Sequence, residues 1–132
     1  MNIKSRDITK DFVVLNPEKN AAVEPADSTL YQRLGQNYGD FKGCELIAAH
    51  EFESDWGTWE MHPHGDETIV LMSGEITFTL KLPDTDQSVT LSEAGTYIIV
   101  PKGIWHTAKT TVKSKLLFIT PGEGTQHGNE PE

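Results

Sequence analysis

Cysteine is almost missing from this sequence: Cys44 stands alone among 132 residues. An internal disulfide is therefore impossible, and no cluster of thiolates can close around a metal within one chain. The residue reads as a small buried apolar group, and nothing around it marks a nucleophile. Positive charge is scarce too. Lys and Arg number 11 against 20 Asp and Glu, a formal net charge of -9 at pH 7. Nucleic-acid binding needs a surplus of Lys and Arg to release counterions, and anionic membrane surfaces attract the same residues. Neither is an expected partner. Long apolar runs are also missing; a stretch such as Tyr97 to Val100 falls far short of the about 20 residues that span a bilayer. The opening residues MNIKSRDITKDFVV hold no apolar core and no small-residue cleavage site, so no secretory signal is expected and the cytoplasm is the expected location. The nucleophile elbow G-x-S-x-G does not occur. The stretch GEGTQHG near the end fits neither the phosphate loop nor the dinucleotide fingerprint.

What is present is a dense alternation of short apolar runs and turn residues. The length suits one domain. Residues 1–40 are polar and broken by Asn16-Pro17 and Glu24-Pro25. They are expected to form an N-terminal extension that packs on the main domain or on a partner. Phe12 to Leu15 suggests a short strand, and Thr29 to Leu34 fits either a helical turn or an edge strand. Over residues 41–120, runs rich in Val, Ile, Thr, Phe and Trp alternate with Gly, Pro, Asp and Ser. From Glu75 to Lys81 the alternation is regular: Ile76, Phe78 and Leu80 share one face, and Thr77, Thr79 and Lys81 the other. Further strands are expected at Cys44 to Phe52, Thr58 to His62, Glu67 to Met72, Ser88 to Leu91, Thr96 to Val100, Trp105 to Thr110 and Leu116 to Thr120. Residues 121–132 carry three Glu and no Lys or Arg and are expected to be a flexible acidic tail. The class is all-β, a sandwich or small barrel.

Five histidines are present: His50, His62, His64, His106 and His127. Two of them fall in WGTWEMHPHGDETIVLMSG, beside Glu60, Asp66 and Glu67. Residues two apart on a strand face the same side, so Glu60 and His62 project together from one strand. Pro63 to Asp66 forms a turn, and Glu67 opens the next strand. Imidazole and carboxylate groups placed this way can converge on a divalent cation. His50 shares parity with Leu46, Ala48 and Phe52 and reads as a packed residue. His127 lies in the tail and is given no role. Trp59 and Trp105 adjoin proposed ligands and so turn to the opposite face; Trp56, like them, reads as packing.

The second histidine segment is GTYIIVPKGIWHTAKT. Gly95, five residues, Pro101, Lys102, Gly103, two residues and His106 match the second motif of the cupins, with Thr110 in place of its closing Asn. Glu67, six residues and Gly74 match the end of the first motif. The chain therefore resembles the cupin superfamily in two motifs, in order and on strand-like segments. The resemblance implies a small antiparallel β-barrel, the double-stranded β-helix or jelly roll, with a divalent metal bound inside it. It implies His106 as a ligand. The front of the first motif departs from H-x-H. At the family's distance from Glu67, His62 takes the second histidine position and Glu60 the first, which favours Glu60, His62, Glu67 and His106 as the metal ligands. The alternative set is His62, His64, Glu67 and His106, with a contracted turn after His64.

The resemblance implies Fe, Mn, Zn or Ni as cofactor, with Mn or Fe(II) the better match if two carboxylates coordinate. A metal with open positions implies an enzyme acting on a small molecule, as an oxygenase, isomerase or lyase. The alternative is a non-catalytic module that senses a small molecule or a metal. Pairing through sheet edges, common in the family, implies a homodimer.

Overall fold

A computed structural model describes residues 3–132. The expected alternation becomes two antiparallel sheets and one helix. In chain order the elements are β1 (Asp11–Leu15), β2 (Ala21–Pro25), α1 (Leu30–Asn37), β3 (Glu45–Phe52), β4 (Trp59–Met61), β5 (Glu67–Ser73), β6 (Ile76–Lys81), β7 (Asp86–Leu91), β8 (Tyr97–Val100), β9 (His106–Lys109), β10 (Ser114–Thr120) and β11 (Gln126–Gly128). One sheet runs β2-β1-β3-β10-β5-β8 and the other β11-β4-β9-β6-β7. Consecutive strands repeatedly cross from one sheet to the other, which is the jelly-roll arrangement. The sheets pack face to face without closing into one hydrogen-bonded barrel.

The period-two pattern explains the packing. On β6, Ile76, Phe78 and Leu80 are buried, while Thr77 and Thr79 pair their hydroxyls with Thr90 and Ser88 of β7 on the outer face. Ile69 and Leu71 of β5 and Leu116 and Phe118 of β10 bring the facing wall, and together these residues form the main core. Gly74, the last residue of the first motif, turns the chain between β5 and β6. Its φ is 92°, and a Cβ there would meet the Lys113 carbonyl and the Ser114 hydroxyl at 2.5 Å. Only glycine fits both the angle and the space. Thr110, in the place of the motif's Asn, is buried. It receives a hydrogen bond from the Val112 N–H at 3.2 Å, and its hydroxyl lies 2.6 Å from the Glu75 carbonyl oxygen. Its role is to tie turns together at the far end of β9.

Residues 11–37 extend the six-stranded sheet and cover its end. Thr29 to Leu34, open between helix and strand in the sequence, resolves as the start of α1. Leu30 and Leu34 of the helix join Phe12, Val14, Phe41, Leu46 and Ala48 in a second core. Arg33 fixes the helix to β2, donating to Glu24 at 2.9 Å, to Asp27 at 2.7 Å and to the Pro25 carbonyl at 2.8 Å. Tyr38 donates to Glu24 at 2.7 Å. Residues 121–132 contain β11, which pairs antiparallel with β4, and Glu130 meets Lys81 at 2.8 Å. The expectation of a flexible tail rested on composition. A three-residue edge strand needs only backbone groups and leaves little trace in side-chain pattern. Among the described residues no helix is long and apolar enough to cross a membrane.

Candidate metal centre

Glu60 lies in the middle of β4, and the strand register sets it opposite His106, the first residue of β9. His62 follows β4 directly, two residues after Glu60 and on the same side. All three belong to the five-stranded sheet. Glu67, the first residue of β5, reaches across from the six-stranded sheet. The two sheets thus converge on one point, where Glu60, His62, Glu67 and His106 each offer a ligand atom and these atoms all lie within 4.8 Å of one another. His62, Glu67 and His106 are buried; Glu60 is partly exposed. The turn that carries His62 is held from outside, because the Gly103 N–H donates to the His62 carbonyl at 2.9 Å and the Lys102 N–H to Asp66 at 2.8 Å. The second motif's Pro-Lys-Gly turn therefore anchors the first motif's histidine.

The ring orientations follow from the hydrogen bonds. His106 Nδ1 lies 3.1 Å from the Ile104 carbonyl oxygen, which can only accept, so Nδ1 carries the proton. His62 Nδ1 lies 2.8 Å from the Thr125 hydroxyl, which donates its own hydrogen to the Gly122 carbonyl at 2.9 Å, so this Nδ1 is also the donor. Both Nε2 atoms therefore turn toward the carboxylates. His106 Nε2 is 3.1 Å from Glu67, and His62 Nε2 is 3.3 Å from Glu67 and 3.4 Å from Glu60. Glu67 accepts one hydrogen bond, from Thr120 at 2.5 Å. His62 Nε2, His106 Nε2 and Glu67 Oε1 are buried with no hydrogen-bond partner. Buried polar atoms ordinarily find partners. Three orphaned atoms aimed at one point fit a shared cation.

The electrostatics agree. Burial alone would push the Glu67 carboxyl up, but its contacts with His106 and His62 overcome that and hold it at about 2. Burial alone would lower His62, but its contacts with Glu60 and Glu67 raise it to about 9. Without a metal, a proton on His62 balances the carboxylates.

Of the residues singled out in the sequence, the structure brings together Glu60, His62, Glu67 and His106. His64 is exposed on its turn beside Gly124 and lies outside the group. His127 stands opposite Glu60 on β11, with Nε2 3.9 Å from its carboxylate. The sequence held no signal for that, since the position depends on the pairing of β11. A cavity of about 880 Å³ opens beside the centre. Glu60, His62 and Glu67 form part of its wall, with Trp56, Phe118 and Leu34 of α1. His50 also lines it, in ring contact with Phe12, Phe52 and Phe118.

Two antiparallel sheets with imidazoles and carboxylates gathered between them define a jelly-roll protein with an internal polar centre. The cupin-domain family model matches residues 49–125, more than half of the sequence; the chain belongs to the cupins. No curated protein matches it. Among solved structures, it is similar to a cupin-2 domain containing protein from Shewanella frigidimarina, with 27% identity over 58% of this chain and 70% of that one and a TM-score of 0.47. It is similar to an oxalate oxidase, with 19% identity over 61% of this chain and 44% of that one and a TM-score of 0.53. A third is hydroquinone 1,2-dioxygenase from Sphingomonas sp. TTNP3 with 4-hydroxybenzoate bound, with 19% identity over 58% of each chain and a TM-score of 0.49. The matches span about half the length of these two enzymes.

Proposed function

We propose that this cupin holds one divalent metal ion with Glu60, His62, Glu67 and His106 and acts on a small molecule in the adjoining cavity. The observation that carries the reading is the convergence of three buried polar atoms without hydrogen-bond partners, from both sheets, on one point. Two imidazole nitrogens with two carboxylates suit Mn or Fe(II), and accommodate Zn or Ni. A bound ion would polarise a substrate oxygen and, if redox-active, exchange electrons with it. The protein's own groups do the rest. Thr125 and the Ile104 carbonyl fix the two imidazoles, and Thr120 fixes Glu67. Elemental analysis of the purified protein tests the centre. One equivalent of a first-row divalent metal is expected, and His106→Ala removes it while the circular dichroism spectrum stays that of a β protein. A folded protein that takes up no such metal would contradict the reading.

We also propose a homodimer in the cytoplasm. Strand β8 is a free edge of the six-stranded sheet, and it exposes Tyr97 and Ile99 at 59% and 54%. An exposed apolar edge strand is a template for pairing with a second copy.

A further inference from the structure

We infer that the ligand of this cavity is a non-anionic, largely apolar molecule of about two rings, and that the site rejects carboxylates and phosphates; this rests on reading the cavity and the centre as one site. The walls are built from Leu34, Phe41, Leu46, Phe52, Trp56 and Phe118, a surface that favours flat apolar groups. The carboxylates in the lining are Asp40, Asp55, Glu60 and Glu67, and without a metal the proton on His62 offsets only one of them. Among the described residues no Lys or Arg lines the cavity. A divalent ion offsets Glu60 and Glu67 and leaves Asp40 and Asp55 uncompensated. An anion entering here would lose its hydration and meet charge of its own sign. A neutral molecule avoids that cost, and an ammonium group gains from the same field and from the aromatic walls.

The cavity also has the length for such a molecule. Leu46 pairs with Thr120, whose hydroxyl touches Glu67, and His50 pairs with Leu116. The four residue steps from Leu46 to His50 cover roughly 13 Å of strand. His50 is half-buried on this wall, and burial pushes its pKa down. It therefore offers a neutral ring at the end away from the centre, in ring contact with Phe52 and Phe118.

The test is calorimetric titration of the full chain, in its purified metal-bound form and after metal removal. The probes are 2-naphthylmethanol, 2-naphthylmethylamine and 2-naphthoate, of one shape and three charges. The alcohol and the amine are expected to bind at least about tenfold more tightly than the acid in both forms. Asp40→Asn with Asp55→Asn should narrow that gap by improving binding of the acid. Ala48→Phe fills the cavity and should abolish binding of the alcohol. If it does not fold, Gly35→Trp serves, because a Cβ on Gly35 at the cavity rim meets nothing within 4 Å. Naphthoate binding as tightly as the alcohol, no binding of any probe at millimolar concentration, or alcohol binding unchanged in a folded cavity-filling variant would each overturn the inference. Metal content is measured on the same samples. Protein that ranks the probes as expected but binds no metal overturns the metal reading alone. Protein that binds metal and prefers naphthoate overturns the ligand class alone.

Discussion

A single proton on His62 sets the behaviour of the centre. In metal-free protein Glu60 and Glu67 raise His62 to about 9 against the effect of burial, and a metal would have to displace that proton to use Nε2. Metal affinity is therefore expected to fall by about tenfold for each pH unit below that value. Competition titrations at several pH values measure this slope, and a flat profile from neutral pH upward would exclude His62 as a ligand. Stability of the metal-free protein has its own window. His62 is raised from 6.5 to about 9, so its contribution is complete below 6.5 and is lost as pH rises through 9. Glu67 is lowered from 4.5 to about 2, so its contribution is complete above 4.5 and is lost as pH falls through 2. The metal-free Tm should then be highest between 4.5 and 6.5 as far as this pair decides it. Thr125 belongs to the same scale. It accepts from His62 Nδ1, and Thr125→Val should weaken metal binding by about 10-fold or more with the fold unchanged.

At the scale of elements, motif spacing was legible because it fixes turns as well as the residues that gather at the centre. Gly74 follows Glu67 after six intervening residues to turn the chain from one sheet to the other, and no other residue fits against Lys113 and Ser114. Gly74→Ala is expected to cost more than about 2 kcal/mol. Gly57→Ala, where a Cβ meets nothing within 4 Å, should stay within about 0.5 kcal/mol. Urea denaturation of both variants makes the comparison. That Glu60 rather than His64 gathers with His62, Glu67 and His106 was also legible, from strand parity and the proline between His62 and His64. Strands β2 and β11 were not. They are short edge strands with exposed side chains, and backbone pairing alone places them. The role of α1 was hidden as well, since Leu30 and Leu34 acquire a partner only when β1 and β3 lie beneath them. Because Arg33 anchors this helix to β2 and its loop, Arg33→Ala should speed amide exchange in α1 and leave the central strands β5 and β10 protected.

For the whole molecule, two sheets that meet at one point explain why a chain this short can build a buried polar site. Each sheet brings part of the Glu60, His62, Glu67 and His106 group, and the pairing of β4 with β9 sets Glu60 beside His106. The free edge at β8 is the counterpart of this economy. Sedimentation is expected to give a dimer, and Ile99→Lys should shift it toward monomer by charging the edge. A monomer at high concentration for the unaltered chain would remove β8 as an interface. The cavity was not legible in advance, because Phe41, Phe52, Trp56 and Phe118 come from separate segments and face one space only after folding.

The most direct test of the centre compares Glu60→Gln with His64→Ala in one metal titration. The two residues stand four apart in sequence, yet Glu60 faces the buried nitrogens and His64 faces solvent. Glu60→Gln is expected to weaken metal binding by about 10-fold or more, since losing a ligand should cost at least as much as losing an outer partner, and His64→Ala to leave it nearly unchanged. Metal lost from His64→Ala and kept by Glu60→Gln would contradict the proposed ligand set and assign the site to His62, His64, Glu67 and His106.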